Sequence, residues 1–152
     1  MKKKEIIRLS AFIVLVLGVC ALIGVCRLDD RYVEYRRLTG VENFVKAHYP
    51  NATAVTAMRD FPDYNVWIDG GTEVEFDFRK NWQEIKVYGN DTIPSSVLAL
   101  LPAGIPEYVA QLSDSSRIMK ISRERNKYEI KLSNRKGELL FDRRGRLIGI
   151  DD

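Results

Sequence analysis

The sequence predicts an α+β protein of two tandem repeats, each a helix packed on an antiparallel sheet. Three observations carry this. Apolar residues recur at helical spacing at the head of two segments, strict apolar/polar alternation follows each, and the two segments match when the chain is slid against itself by about 64 residues.

The chain has 152 residues and a formal charge of +3. That surplus comes from the start, where Lys2, Lys3, Lys4 and Arg8 face only Glu5. From Leu9 to Cys26 there is no charge, and Ser10 is the one polar side chain. A basic start followed by an apolar run is an export signal. Its length falls between a cleaved signal core of about 7–15 residues and a spanning helix of roughly 17–25. Residues 1–26 are therefore a signal peptide, cut near Val19-Cys20-Ala21 or Gly24-Val25-Cys26, or a retained membrane anchor. Both place the remainder in the periplasm or outside the cell, with membrane contact only through residues 9–26 if uncleaved.

Residues 27–40 form a lead-in, and the first repeat spans 41–88. Val41, Phe44, Val45 and His48 share a helix face, and Tyr49-Pro50-Asn51 ends the helix because proline cannot continue it. Tyr64, Val66 and Ile68 then alternate with Asn65, Trp67 and Asp69. Gly70-Gly71 turns the chain into Val74, Phe76 and Phe78, which alternate with Glu73, Glu75 and Asp77. This predicts a hairpin whose buried side holds the first set of each strand.

A connector, 89–104, carries Pro94 and Pro102 into the second repeat, 105–152. There Ile105, Tyr108 and Val109 match Val41, Phe44 and Val45, while Tyr128, Ile130 and Leu132 match Tyr64, Val66 and Ile68. After a one-residue insertion Leu139, Phe141, Asp142, Leu147 and Ile150 match Val74, Phe76, Asp77, Trp82 and Ile85. Glu138–Asp142 and Leu147–Ile150 are the expected closing strands.

Residues 27–152 hold equal numbers of bases and acids, so nothing in the balance calls for nucleic acid. The halves differ in sign: 9 bases and 12 acids in residues 27–93, then 11 and 8 in residues 94–152. Such a dipole suits docking by complementary charge. Cys20 and Cys26 both lie in the apolar run, so no disulfide framework holds the exported part.

Chemistry has little to stand on. His48 is the single histidine, expected near a helix C-terminus, where the dipole favours its charged form. No phosphate-binding glycine loop appears, and no cofactor, metal site or catalytic residue is expected. Asp69, Glu73, Glu75 and Asp77 resemble a cation cluster only in composition. Their alternation makes Glu73, Glu75 and Asp77 the solvent side of a strand, and Asp77 and Asp142 are placed to cap turns.

Trp67 is the residue the pattern explains least, because alternation sends it to the polar face among these acids. Large aromatics on a polar face mark binding surfaces, unless a loop or the lead-in folds over them. The candidate binding residues are Trp67, Glu73, Glu75 and Asp77. Trp82, which matches Leu147, is expected to be structural.

The ordered set Phe76-Asp77, Asn81-Trp82-Gln83-Glu84-Ile85, Ile93-Pro94, Leu101-Pro102, Tyr128 to Asn134 and Phe141-Asp142 through Gly145 to Asp151 resembles the PepSY-like, β-lactamase-inhibitor-like family of exported Bacteroides-type proteins. The resemblance runs from about Val41 to Asp152. It implies a helix on an antiparallel sheet in each repeat, export, and no established activity. Departures fall at turns: Gly70-Gly71, Asn134-Arg135-Lys136-Gly137, and Leu112-Ser113-Asp114 at a helix end. The function expected is that of an exported, non-enzymatic module that binds a periplasmic or extracellular protein or peptide, with inhibition as one form such binding takes. The alternatives are a membrane-tethered structural envelope component and a hydrolase using acidic residues.

Overall fold

The structure is a computed structural model that describes residues 31–112 and 116–151. The chain divides into Met1–Tyr32 and a compact unit, Val33–Asp152. The expected export segment, and Ser113-Asp114 after the second helix, lie outside the described residues. Among the described residues no helix is long and apolar enough to cross a membrane.

A short strand, β1 (Tyr32–Val33), and a 3-10 turn (Tyr35–Arg37) lead into helix α1 (Thr39–His48). Four strands follow: β2 (Val55–Asp60), β3 (Asp63–Ile68), β4 (Thr72–Phe76) and β5 (Trp82–Val87). A one-turn helix, α2 (Ser95–Leu98), precedes α3 (Gly104–Leu112). The chain ends in β6 (Ile118–Arg123), β7 (Lys127–Leu132), β8 (Glu138–Asp142) and β9 (Leu147–Asp151). Among the described residues the nine strands form one sheet whose spatial order is the chain order, antiparallel from β2 to β9.

Alternation fixes which face is buried, because neighbouring side chains on a strand point to opposite sides. Tyr64 and Val66 stand opposite Phe76 and Val74, and all four are buried. Ile130 and Leu139 repeat the arrangement in β7 and β8. The helices cover this face. Phe44 of α1 meets Phe76 edge to face at 5.4 Å, and Tyr108 of α3 meets Phe141 in the same way at 5.5 Å. Among the described residues Phe76 and Phe141 are the two largest fully buried side chains, 1% and 0% exposed.

Two sequence expectations need correction, and two further features lie beyond what the sequence reading described. Phe78 is not on the buried face: β4 ends at Phe76 beside a bulge, Asp77 opens a turn, and Phe78 is left 56% exposed. Leu147 and Ile150 are exposed, unlike Trp82 and Ile85, because β9 is a terminal strand while β5 is flanked on both sides. The connector contributes to the core, since Ile93, Val97 and Leu101 are buried at a spacing of four across α2. His48 ends α1 as expected but packs its ring 4.6 Å from that of Phe44, with Nδ1 buried and unpartnered. Burial pushes its pKa down, against the direction the helix dipole would give.

Candidate functional site

The sheet face opposite the helices is built of charged residues, and the register sets them in rows. Glu73, Glu75, Glu84, Lys86, Lys120 and Glu138 all point to it. Lys86 pairs with Glu84 and with Glu75 at 3.3 Å. Lys120 pairs with Glu138 at 2.8 Å and lies 3.7 Å from Glu84. The result is a ladder of alternating charge from β4 to β8. Burial lowers the pKa of Lys86, but Glu84 and Glu75 outweigh it, so the ammonium is held more firmly charged than usual. Lys120 behaves likewise, with Glu138 as its main support.

Trp67 lies at the β3 end of this ladder, directly opposite Glu73 and between it and Thr56. Its ring is partly covered by Tyr88, just beyond β5, which stacks on it at 5.5 Å and 21°. The Tyr88 hydroxyl donates to Glu73 Oε2 at 2.8 Å, and this bond to a carboxylate raises the phenol pKa. Trp67, Tyr88 and Glu73 therefore form one ledge. Tyr88 is 45% exposed, so the ledge is open to solvent. Beside it the face dips into a groove of about 630 Å³ bordered by Lys86, Tyr88, Met119, Lys120, Lys131 and Arg135.

The structure thus brings together three of the four residues the sequence singled out. Glu75 sits two positions along β4 from Glu73, tied to Lys86. Asp77 stands apart in the β4–β5 turn, where its Oδ1 accepts the Asn81 amide at 2.8 Å. Burial pushes the Asp77 carboxyl up, but the bonds from Asn81 and the Arg79 amide outweigh this and hold it below the ordinary carboxylate range. Asp69 also serves a turn, its Oδ1 accepting the Ala54 and Thr53 amides and the Thr53 hydroxyl, which lowers its pKa.

Sequence reasoning missed Tyr88 and Lys86. Lys86 could have been found, because it alternates with Ile85 and Val87 and so shares the face of Glu84. Tyr88 follows the strand, and nothing local to it announces a stack on Trp67. Among the described residues no three histidine, cysteine or acidic side chains are placed to hold a metal ion.

Three solved structures from Bacteroides resemble this fold. A "putative calcium-regulated periplasmic protein" from Bacteroides thetaiotaomicron matches at 32% identity and a TM-score of 0.67, over 82% of this chain and 98% of its own. A "putative periplasmic protein" of the DUF2874 family from Bacteroides vulgatus matches at 29% identity and a TM-score of 0.67, over the same shares. Another from that species, of unknown function, matches at 26% identity and 0.61, over 75% of this chain and 90% of its own. Among curated proteins, none matches. A family profile described as "Putative beta-lactamase-inhibitor-like, PepSY-like" covers residues 62–149, more than half of the sequence. Together with the ordered residues from Phe76 to Asp151 and the helix-on-sheet fold, this match establishes that the chain belongs to the PepSY-like family.

Proposed function

We propose that this protein is a non-enzymatic binding module of the periplasm, and that it recognises a protein or peptide through the open sheet face at Trp67, Glu73, Glu75 and Asp77. The observation that carries the reading is the Trp67–Tyr88 ledge. Aromatic residues are enriched among interface anchors, where the contacts around them shield them from water, and a solvent-open Trp–Tyr stack set among charges fits that role. The basic groove beside it adds complementarity for an acidic or carboxylate-bearing segment. Asp77 would act at the margin of this surface, because its carboxylate already serves its own turn.

The periplasmic setting rests on the solved proteins this chain resembles, described as periplasmic, and on the basic and apolar start of the chain. Calcium regulation is named for the Bacteroides thetaiotaomicron protein and is not carried over to this chain. The chain is read as two copies of one unit, 41–88 and 105–152. The matched aromatic contacts Phe44–Phe76 and Tyr108–Phe141 support that reading.

The test is quantitative capture from a periplasmic extract. A photo-crosslinking residue replaces Tyr88 in one sample and the exposed helix residue Asn43 in a control. The reading requires a discrete adduct from position 88 that position 43 does not give and that Trp67→Ala removes. Equal labelling from both positions would count against it.

A further inference from the structure

The hairpin tips joining β2–β3, β4–β5, β6–β7 and β8–β9 all lie at one end of the sheet, since the antiparallel register sets Tyr64 beside Phe76, Glu84 beside Ser122 and Lys127 beside Asp142. The Trp67–Tyr88 ledge is at the opposite end. Two neighbouring tips carry phenylalanines that the fold does not use: Phe61 is 82% exposed and Phe78 is 56% exposed. Tips ordinarily carry Gly, Asn, Asp or Ser, and here two adjacent ones each present a ring to solvent. Each has an arginine over it, Arg59 at 5.7 Å from the Phe61 ring and Arg79 at 5.2 Å from the Phe78 ring.

The other two tips frame a polar pocket of about 670 Å³, bordered by Arg123, Arg125, Arg143, Ser122 and Tyr128. Arg123 is fixed in place, donating to the Trp82 carbonyl and lying 4.3 Å over the Trp82 ring. One acid, Glu124, also borders the pocket and faces Lys127 at 3.5 Å, while Asp142 holds Arg146 at 2.7 Å. Among the described residues Arg125 and Arg143 meet no carboxylate within ion-pair distance. Asp60 and Asp63 face each other at the base of the Phe61 tip.

We propose that this end of the molecule docks on an anionic phospholipid surface. Phe61 and Phe78 enter the boundary between headgroups and acyl chains, and the pocket at Arg125 and Arg143 takes a phosphate headgroup. Exposed rings flanked by guanidinium groups provide both components of interfacial attachment, apolar area and attraction to anionic lipid. Arginine suits the second role because its planar fork matches phosphate oxygens. The surface lies at the other end of the sheet from the Trp67 ledge, and Asp77, at the margin of the binding face, is the one residue of that face that belongs to a docking tip.

Hydrogen exchange on the full chain in lipid nanodiscs tests this, because it reads each tip separately from any contribution of residues 9–26. In discs containing phosphatidylglycerol, amides of residues 59–63, 77–81, 124–126 and 142–146 exchange about tenfold more slowly than in discs of phosphatidylcholine alone. Phe61→Ser with Phe78→Ser, or Arg125→Glu with Arg143→Glu, removes that difference, while unchanged exchange in β3, β4, β7 and β8 shows that the fold is kept. Equal exchange in the two lipids overturns the proposal. So does protection produced equally by inorganic phosphate in phosphatidylcholine discs, which would mark a small-anion pocket, or protection that needs an acidic protein and not the lipid.

Discussion

Asp77 and Asp142 close the same five-residue turn in the two halves of the chain. Each backbone amide donates to the carbonyl four residues on, Asn81 and Arg146, both at 2.9 Å. Each Oδ1 accepts the amide of that same residue, at 2.8 and 3.0 Å. The residue between, Lys80 in one turn and Gly145 in the other, has positive φ, 68° and 76°. The helices lean on these turns through glycines: a Cβ on Gly40 would meet Lys80 Cβ at 2.6 Å, and one on Gly104 would meet the Gly145 carbonyl oxygen at 2.6 Å.

Gly104→Ala should therefore destabilise the fold, by about 1–3 kcal/mol, since backbone must shift to admit the methyl group. Gly145→Ala should also destabilise, through its positive φ and the nearby Pro102. Urea unfolding of the two variants, read as a lowered midpoint with unchanged slope, checks both.

Phe76→Ala and Phe141→Ala should each cost about 3–5 kcal/mol, the loss expected when a fully buried ring leaves a cavity under a helix. Similar values would show that the two sites are energetically equivalent. A loss under about 1 kcal/mol at either would mean that the core there closes over the gap.

Stability should fall as pH drops through about 6.5, the ordinary histidine value, because His48 is lowered in the folded state by burial. Below that point the unfolded chain binds a proton that the folded chain refuses, so folding is penalised until the folded ring also protonates. His48→Gln should flatten the stability profile between about pH 5 and 7. The turn carboxylates do not interfere, since Asp69, Asp77 and Asp142 are all lowered and titrate in more acid solution.

Trp67→Ala should weaken partner capture by roughly 2 kcal/mol or more while changing the melting temperature little. Tyr88→Phe keeps the stack but loses the bond to Glu73, and its effect should be the smaller of the two. Glu75→Lys should slow association, with the difference shrinking as salt rises, because steering acts through screened charge. A fall of several degrees in melting temperature for Trp67→Ala, with capture unchanged, would make the tryptophan a packing residue only.

Where the pattern was strictly periodic, the sequence was readable. Tyr64, Val66 and Ile68 are buried, the helix bearing Val41, Phe44 and Val45 ends at His48, and Asp142 caps its turn. What escaped was set by neighbours distant in sequence. Strand β2 carries Thr56, Met58 and Asp60 on one side but only one buried residue, Ala57, on the other, so its alternation is weak. Phe78 continues an alternating pattern that the Asp77 turn interrupts. Of the site, the Trp67–Glu73 pairing was implicit in the hairpin register, whereas Tyr88 reaches Trp67 only because β5 lies next to β4.

The meander gives this sheet an unusual distribution of joints. From β2 to β9 each strand pairs with its successor across a short turn, except at β5–β6, where β5 ends at Val87, β6 begins only at Ile118, and the two make three registered pairs, Glu84–Ser122, Ile85–Ile121 and Lys86–Lys120. Closing so long an excursion is entropically dearer than closing any of the turns. The hairpins on either side rest on local contacts, whereas the joint between them is the long-range contact of the sheet. It is also the one place between β2 and β9 where two molecules can exchange halves without undoing a hairpin, so a swapped dimer of this protein would cross over in residues 88–117.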